Sequence, residues 1–291
     1  MKIYIVIPVY NEEKFVAQML TSLVTQTLVP DKIVVVDDSS SDNSAKIIQE
    51  FSDNYSFIKY HFKSSSSVHA PGAKVVEAFY SGLQILDEDY DLIGKFDADL
   101  ILPPDYFEKM QKVFSSDERV GMASGILFIE NRGKWEFENI SKKDKVRGPV
   151  KLFRKKCFED IGGLKRSIGW DTVDELLARY HGWKVTTDVT AQVKHLKPTG
   201  RAYTKASRYK QGEAFFRMRY GMLLSGIAAA KLAWSKRSLS LFTHSMIGYI
   251  RAKKDKVYIV NPDEGKFIRK FRWRHIFSKF NFRGKSKRLE L

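Results

Sequence analysis

Two pairs of acidic residues in the sequence each follow an apolar run. Asp97 and Asp99 come directly after the run that ends at Phe96, and Asp37 and Asp38 follow an earlier run. Carboxylates at the Asp-x-Asp spacing can coordinate a hard divalent cation and direct it toward phosphate oxygens, where it neutralises the charge on a departing diphosphate. A lone Asp-x-Asp is more often two solvated acids in a turn. Here the preceding apolar run and the second acidic pair favour a ligand site.

An alternation of strands and helices positions these acids. The β-branched run over residues 3–9 predicts a strand, the apolar spacing over 15–23 predicts a helix, and the run over 33–36 predicts a second strand before a helix over 45–51. This order favours a parallel sheet with right-handed crossovers. Ligands of open α/β sheets bind at the carboxyl ends of the strands, so both acidic pairs are expected to line one crevice.

The same alternation continues to about residue 200. The patterns predict helices over 73–86, 103–114, 157–161 and 171–181, and strands over 90–96, 120–129, 150–153 and 184–195. The polar, charged stretch 130–148 is interpreted as a loop or a ragged insertion. The expected fold class is therefore α/β, with helices flanking a mostly parallel sheet.

Four ordered motifs over about residues 1–200 resemble those of the family 2 glycosyltransferases, which have the GT-A fold. They are Ile7-Pro8-Val9-Tyr10-Asn11-Glu12, then Val34 to Asp42, then Phe96-Asp97-Ala98-Asp99, and then Ile161-Gly162-Gly163-Leu164. The resemblance implies a GT-A type, Rossmann-like sheet and an inverting, nucleotide-sugar dependent transferase. It also implies a catalytic domain over 1–200, with a nucleotide-binding half over 1–100 and an acceptor half over 101–200.

The resemblance also assigns the donor site. The nucleotide-sugar would contact Pro8, Tyr10, Glu12, Asp38, Lys74 and Asp97. Pro8 and Tyr10 would lie against the nucleobase and ribose, and Asp38 would accept a hydrogen bond from the base N–H. Asp99, assisted by Asp97, would bind Mg²⁺ or Mn²⁺ that bridges the diphosphate.

Two further residues have alternative interpretations. His195 ends the predicted strand 184–195 and matches a position where many relatives have a histidine near the diphosphate, so it is either a third metal ligand or a hydrogen-bonded surface residue. Lys74 follows the Gly72 turn, where it either contacts a phosphate by charge or is a solvated helix lysine.

The catalytic base of the resembled family is the aspartate of a Glu-Asp pair about eleven residues before a glycine. Here Gly182 lies eleven residues after Asp171, and Trp170 stands where glutamate is usual. Asp171 is therefore the expected base, which would deprotonate the acceptor hydroxyl as it attacks the anomeric carbon. Asp174, one helical turn further on, is the competing candidate, and a purely structural helix cap is the third interpretation.

The excess positive charge lies in the last third of the chain. Residues 201–291 contain 23 basic and 5 acidic side chains, whereas residues 1–200 contain 27 and 29. We expect a basic, aromatic, mainly helical extension packed on the catalytic domain. Such a segment suits an anionic membrane surface, a phosphate-bearing acceptor or nucleic acid, or it carries solubilising charge on packed helices.

Composition excludes several classes. The single cysteine, Cys157, excludes an intramolecular disulfide framework and cysteine-rich zinc modules, and no apolar run reaches the length of about 18 to 20 residues that spans a bilayer. No secretory signal is recognised, so we expect a cytoplasmic protein, with peripheral attachment to the inner face of the cell membrane left open.

Two other functions fit the sequence less well. A nucleotidyltransferase normally has a glycine-rich, basic loop after its first strand, where this chain has Pro8 to Glu13. A nucleic-acid-binding protein would show a recognisable reading element, and none is found, so no nucleic acid partner is expected. The preferred function is transfer of a sugar from a nucleotide-diphosphate sugar to a hydroxyl of a glycan or lipid-linked acceptor, in surface polysaccharide or glycolipid synthesis.

Overall fold

The computed structural model of the chain describes residues 1–64, 72–140, 143–197 and 208–286. The chain divides into two compact units, the first made of Met1–Arg166 and Trp170–Arg201 and the second of Ser167–Gly169 and Ala202–Leu291. The predicted packing of the extension on the catalytic domain, and the division of that domain at residue 100, stay predictions.

The first unit is built on one sheet. Its strands are β1 (Ile3–Val9), β2 (Lys32–Asp37), β3 (Ile58–Phe62), β4 (Leu92–Phe96), β5 (Leu100–Ile101), β6 (Val120–Asn131), β7 (Lys134–Phe137), β8 (Val150–Arg154) and β9 (Lys184–His195). The strand order is β3-β2-β1-β4-β8-β6-β9-β5, and β7 pairs with β6. The run β3-β2-β1-β4 is parallel, and β8 is antiparallel to both of its neighbours. The α/β fold class expected from the sequence is confirmed.

Helices cover both faces of this sheet. They are α1 (Val16–Val24), α2 (Ser44–Asn54), α3 (Ala73–Leu83), α4 (Tyr106–Ser116), α5 (Lys155–Asp160) and α6 (Trp170–Tyr180). Ile5 and Val35 belong to the buried cluster that also contains residues of α1 and α4, whereas Val6 and Val36 approach Gly82 of α3 on the other face. Strands buried on both faces read as continuous apolar runs, which is why the sequence pattern located them well.

The parallel strands bring the two acidic pairs to one edge of the sheet. In the β1 and β2 register Val9 lies opposite Asp37, and β4, parallel to β1, ends at Phe96 just before Asp97. Phe96 itself is buried against Tyr106 and Phe107 at the start of α4. The core therefore fixes the end of β4, and this in turn fixes where the acids that follow it lie.

The interpretation of the segment 130–148 as a loop or a ragged insertion is wrong in part. Strands β6 and β7 form a hairpin there, with Ile129 opposite Glu136 and Asn131 opposite Lys134. Arg132 and Gly133 at the turn have φ values of 51° and 77°. Two consecutive residues with positive φ are typical of the tight hairpin turns that match strand twist. The Arg-Gly dipeptide was the signal that could have located this hairpin.

The second unit is helical. It contains α7 (Lys210–Arg217), α8 (Met222–Ser235), α9 (Leu239–Asp255) and α10 (Pro262–Ser286). In the part of the chain that the structure describes, none of the helices combines the length and apolar character that a bilayer crossing requires.

Helices α7 and α9 approach each other through glycines. A Cβ placed on Gly248 would lie 2.0 Å from the carbonyl oxygen of Tyr209, and a Cβ on Gly212 would lie 1.7 Å from that of Ser245. The rings of Phe216 and Tyr249 meet edge to face beside this contact. Backbone-to-backbone contact of this kind leaves no room for a side chain.

We therefore expect Gly248→Ala to destabilise the second unit by about 1–3 kcal/mol or more, because the added methyl group must push two helix backbones apart. Gly226→Ala in α8 is the matched control, since nothing lies within 4 Å of its Cβ position. Helix propensity predicts a gain of up to about 1 kcal/mol for the control. Urea unfolding followed by circular dichroism measures both, and equal midpoints would contradict the close-packing argument.

Candidate active site

The loops after β1 and β2 are joined to each other by side-chain hydrogen bonds. The Ser41 amide donates to Asn11 Oδ1 at 2.8 Å, the Asn11 amide donates to Ser40 Oγ at 3.0 Å, and the Glu12 amide donates to Ser44 Oγ at 2.8 Å. Asn11 has a positive φ of 54°, a conformation that asparagine tolerates better than most residues. The two loops thus form one wall at the carboxyl edge of the sheet.

The acids of the first pair have different environments in this wall. Asp37 is buried, and its carboxylate closes the turn by accepting from the Ser40 amide at 2.9 Å. Asp38 accepts from Lys63 Nζ at 2.7 Å, and its own amide donates to the Val9 carbonyl. Among the residues that the structure describes, Asp38 thus forms an ion pair with Lys63, whose side chain is partly exposed.

Pro8 and Tyr10 flank this position. Pro8 is half-buried opposite Val36, whereas the Tyr10 side chain is 61% exposed. An exposed ring beside a buried carboxylate can stack on a planar ligand while the carboxylate accepts its hydrogen bonds.

The two acids of the second pair, Asp97 and Asp99, also have different environments. The buried ammonium of Lys95 pairs with the Asp97 carboxylate, and the Asp97 amide donates to the Pro149 carbonyl at 2.8 Å. Asp99 is buried and lies 3.6 Å from Nε2 of His195. Antiparallel pairing of β5 with β9 sets this contact, because Leu100 lies opposite His195.

His195 is held between two carboxylates. Its Nδ1 lies 3.1 Å from Oε2 of the buried Glu138, and Arg147 pairs with that same carboxylate. Burial lowers the pKa of His195, but the interactions with Asp99 and Glu138 outweigh burial and raise the pKa to about 9. The imidazole is therefore positively charged at neutral pH in the protein without a bound cation.

Glu12 completes the acidic cluster. Lys197 pairs with its Oε1, while its buried Oε2 accepts no hydrogen bond within the described residues. Burial raises the pKa of Glu12, and the nearby Asp99 and Asp97 carboxylates raise it further. A buried acceptor without a donor, close to two other carboxylates, is an environment that a cation would stabilise.

The predicted metal ligands are only partly brought together. Asp99 and His195 are adjacent, whereas Asp97 is held by Lys95. Counting only residues that the structure describes, no three His, Cys, Asp or Glu side chains are arranged to hold a metal ion. The oxygen of Asp99 and the nitrogen of His195 are nevertheless donors that Mn²⁺ accepts, so these residues would fit a cation whose remaining ligands would come from a bound phosphate.

Two buried lysines lie on neighbouring strands beneath the candidate base. Lys95 of β4 is directly opposite Lys151 of β8, and both side chains are almost fully buried. Their ammonium groups lie 5.1 and 5.4 Å from the centroid of the Trp170 ring. Like charges directly opposite each other are destabilising, so each lysine needs its own carboxylate and the aromatic face between them.

Lys151 holds the first turn of α6. Its Nζ donates at 2.6 Å to the Asp171 carbonyl and at 2.6 Å to Oδ1 of Asp174. Asp174 has no exposed surface, and burial raises its pKa to about 7, although Lys151 opposes this shift. Asp171 is half-buried, and its Oδ2 would be 3.5 Å from a Cβ on Gly148. Of the two candidate bases, only Asp171 has exposed surface.

The comparison with known families decides the classification. The sequence model described as "Glycosyl transferase family 2" matches residues 4–164. This chain belongs to glycosyl transferase family 2. The resemblance drawn from the four motifs is confirmed, and membership of this family points to a transferase.

The sequence identity between this chain and individual members of the family is low. Glycosyltransferase GlyA of Streptococcus pneumoniae is 30% identical over 155 residues, which cover 52% of this chain and 21% of that protein. Undecaprenyl-phosphate 4-deoxy-4-formamido-L-arabinose transferase of Proteus mirabilis is 33% identical over 182 residues, covering 60% of this chain and 51% of that protein. This chain thus matches at most about half of the length of these two relatives.

A solved structure shares the fold over nearly the whole chain. Mannosyltransferase PcManGT of Pyrobaculum calidifontis, in complex with GDP-Man and Mn²⁺, aligns with a TM-score of 0.58 at 14% identity. The alignment covers 97% of this chain and 82% of that protein. At this identity the likeness supports the GT-A fold.

In this family 2 glycosyltransferase the sequence motifs located the acids but missed their partners. Lys95, Lys151 and Glu138 were not predicted as site residues. The signal was present for the lysines, because a charged residue inside a strand buried on both faces needs a counter-ion. Glu138 lies directly after β7, in the segment that was interpreted as a loop. Lys74 is the second residue of α3, and Gly72, which has a φ of 77°, directly precedes that helix. The predicted contact of Lys74 with a phosphate stays a prediction.

We expect Lys151→Met to destabilise the protein by about 3–5 kcal/mol, because it leaves the Asp174 carboxylate buried without its cation. The double variant Lys151→Met/Asp174→Leu should regain most of this loss, since it removes both charges from the interior. Urea unfolding of the two variants measures the difference.

Lys184→Met is the matched control for this pair. Lys184 forms an exposed ion pair with Asp117, for which a loss of less than about 1 kcal/mol is expected. A double variant that is no more stable than Lys151→Met would contradict the role given to the buried charge pair.

Proposed function

We propose that this family 2 glycosyltransferase transfers a sugar, with inversion, from a nucleoside-diphosphate sugar to a hydroxyl of a glycan or lipid-linked acceptor. The observation that carries the proposal is the short segment Gly148-Pro149. The Pro149 carbonyl accepts from the Asp97 amide, and Gly148 lies against the Asp171 side chain. Asp97 of the donor motif and the candidate base Asp171 therefore both adjoin this two-residue segment. Displacement at one carbon atom requires the leaving group and the base to be held close to that atom.

The donor is proposed to bind along the wall formed by the loops after β1 and β2. Tyr10 and Pro8 would contact the nucleobase and ribose, and Asp38 would accept from the base N–H. Lys74, near the start of α3, would contact a phosphate by charge. The GDP-Man in the structure of the mannosyltransferase with this fold supports a nucleotide-sugar donor.

Asp99 and His195 are proposed to hold Mg²⁺ or Mn²⁺, with Asp97 and Glu12 adding negative charge nearby. When bound, the cation would act as a Lewis acid on the leaving diphosphate. The buried Glu12 Oε2, which accepts no hydrogen bond from the residues that the structure describes, and the Mn²⁺ named with the mannosyltransferase structure support this assignment. The positive charge of His195 must be lost before its nitrogen can act as a ligand, so cation binding would release a proton.

Asp171 is proposed as the general base. Its carboxylate would accept the proton of the acceptor hydroxyl as that oxygen attacks the anomeric carbon opposite the leaving group. Such a base contributes about 10²–10⁴-fold to the rate. Lys151 holds the Asp171 main chain through its carbonyl, so the carboxylate is presented from a fixed turn. Asp174 is fully buried on Lys151, which leaves it the weaker candidate.

The acceptor is proposed to be a glycan or a lipid-linked saccharide in surface polysaccharide or glycolipid synthesis. The name of the Proteus mirabilis relative, an undecaprenyl-phosphate sugar transferase, supports a lipid-linked acceptor. A cytoplasmic enzyme acting at the inner face of the cell membrane, with the basic region 201–291 as its membrane contact, follows from that acceptor and from the charge of this region.

The donor site is tested by thermal-shift measurements with UDP-, GDP-, dTDP- and CMP-sugars, each with and without Mn²⁺. A ligand that binds only the folded state raises the melting temperature by mass action. We expect a Mn²⁺-dependent rise with one nucleotide class that is lost in Asp99→Ala. A rise that is equal in Asp99→Ala would contradict the metal assignment, and no rise with any donor would contradict the donor site.

The base assignment is tested with Asp171→Asn. We expect unchanged donor affinity and a fall of about 10²–10⁴-fold in release of nucleoside diphosphate, because the amide cannot accept the proton. Asp53→Asn, on the exposed surface of α2, is the matched control and should turn over normally. Near-normal turnover of Asp171→Asn would show that another group is the base.

A further inference from the structure

The helix α8 presents large apolar side chains outward. Leu223 and Trp234 are 69% and 88% exposed, and Ile227 between them is also exposed. The spacing of four and seven residues places all three on one face of the helix. The buried residues of α8 are Leu224, Ser225, Ala229 and Ala233. An ordinary surface helix has the opposite arrangement, with its apolar stripe toward the core.

Helix α9 repeats this reversed pattern. Its exposed apolar side chains are Leu239, Phe242, Ile247 and Ile250, and its buried residues are Ser245, Gly248, Tyr249 and Ala252. Trp234 and Leu239, on either side of the turn 236–238, are the two most exposed large apolar side chains of the described residues. We call residues 234–239 the hairpin tip.

The two helices are strongly basic, and the one acidic residue on them is Asp255, the last residue of α9. From Met222 to Lys254 the sequence has six basic residues and no acidic one. Lys231, Lys236 and Arg237 are exposed at or near the hairpin tip. Tryptophan beside lysine and arginine suits the interface of a bilayer, where the ring enters the headgroup layer and the cations meet lipid phosphates.

We propose that the α8–α9 hairpin is the surface by which this protein docks on an anionic lipid bilayer. Trp234 and Leu239 enter the headgroup layer, and Lys231, Lys236 and Arg237 contact the lipid phosphates. This inference rests on the membrane contact included in the proposed function and assigns that contact to one element of the region 201–291.

Helix α10 is a poorer candidate, although it is basic and aromatic. Its Ile268 is buried, Arg269 donates to the Arg219 carbonyl at 2.7 Å, and Arg272 donates to the Tyr220 hydroxyl at 3.0 Å. These three side chains are thus used for packing and hydrogen bonding within the second unit. Its first turn also carries Asp263 and Glu264, which an anionic surface would repel.

A second copy of the chain is also a poorer occupant. Self-association of the hairpin through a twofold axis would place the same patch on both sides of the interface. Six positive charges would then face six others, with Asp255 at the end of α9 as the one acidic residue of each hairpin to compensate them. An anionic bilayer supplies the missing negative charge.

The test is co-sedimentation of the full chain with vesicles of phosphatidylcholine and phosphatidylglycerol in equal parts, and of phosphatidylcholine alone, at physiological salt. The wild type should bind only the anionic vesicles. We expect Trp234→Ser/Leu239→Ser and Lys236→Glu/Arg237→Glu each to weaken this binding at least about tenfold, through lost apolar contact and lost charge respectively.

Two control variants make the test specific. Val29→Ser/Val189→Ser removes exposed apolar side chains from the first unit, and Lys270→Glu/Phe277→Ser changes exposed residues of α10. Both should bind anionic vesicles as the wild type does. Wild-type binding by the hairpin variants, or a loss confined to the α10 variant, would overturn the proposal.

Light scattering without lipid tests the second-copy alternative. A dimer that Trp234→Ser/Leu239→Ser converts to monomer would overturn the membrane assignment of this face. Nucleotide-sugar thermal shifts of the same variants separate this proposal from the proposed function. Hairpin-dependent vesicle binding without any donor shift would support the hairpin and contradict the donor chemistry, and the reverse result would do the opposite.

Discussion

The site depends on two positive charges buried inside the sheet. Lys95 and Lys151 lie opposite each other on neighbouring strands, and both side chains are buried. Such a pair is stable only if each cation has a carboxylate within reach, because an unpaired charge in the interior costs several kcal/mol. Asp97 and Asp174 meet this requirement, and the Trp170 ring lies beside both cations. The strand end that carries the donor motif and the helix that carries the candidate base are thereby tied together.

This constraint divides the acids of the site into two groups. Asp37 closes a turn, Asp97 neutralises Lys95, and Asp174 neutralises Lys151, so each of these three carboxylates has a partner that fixes local geometry. Their neighbours in the sequence, Asp38, Asp99 and Asp171, are the ones we assign to ligand and catalysis. Each pair of neighbouring acids thus contains one carboxylate that fixes the local geometry and one that we propose to contact a substrate or cation. Preorganised sites require such a division of roles.

The two units of the chain differ in where their large apolar side chains lie. In the first unit, the central apolar strands are buried on both faces, and residues 1–200 have nearly balanced charge. In the second, small residues and glycines bring the helices together, which leaves several larger apolar side chains outside among positive charges. An arrangement that would be a liability in bulk water is appropriate at a charged interface.

The sequence by itself determined the family, the parallel half of the sheet, the position of both acidic pairs and the charge of the last third. These features depend on local periodicity and on short ordered motifs, which can be read without knowing what packs on what. The tertiary structure decided which acids are buried and what holds them. Lys151 and Asp174 are 23 residues apart, and Glu138 and His195 are 57 apart. Contacts at such separations arise from strand pairing and helix docking, and the same acidic side chain is a counter-ion or a ligand group according to what that packing places beside it.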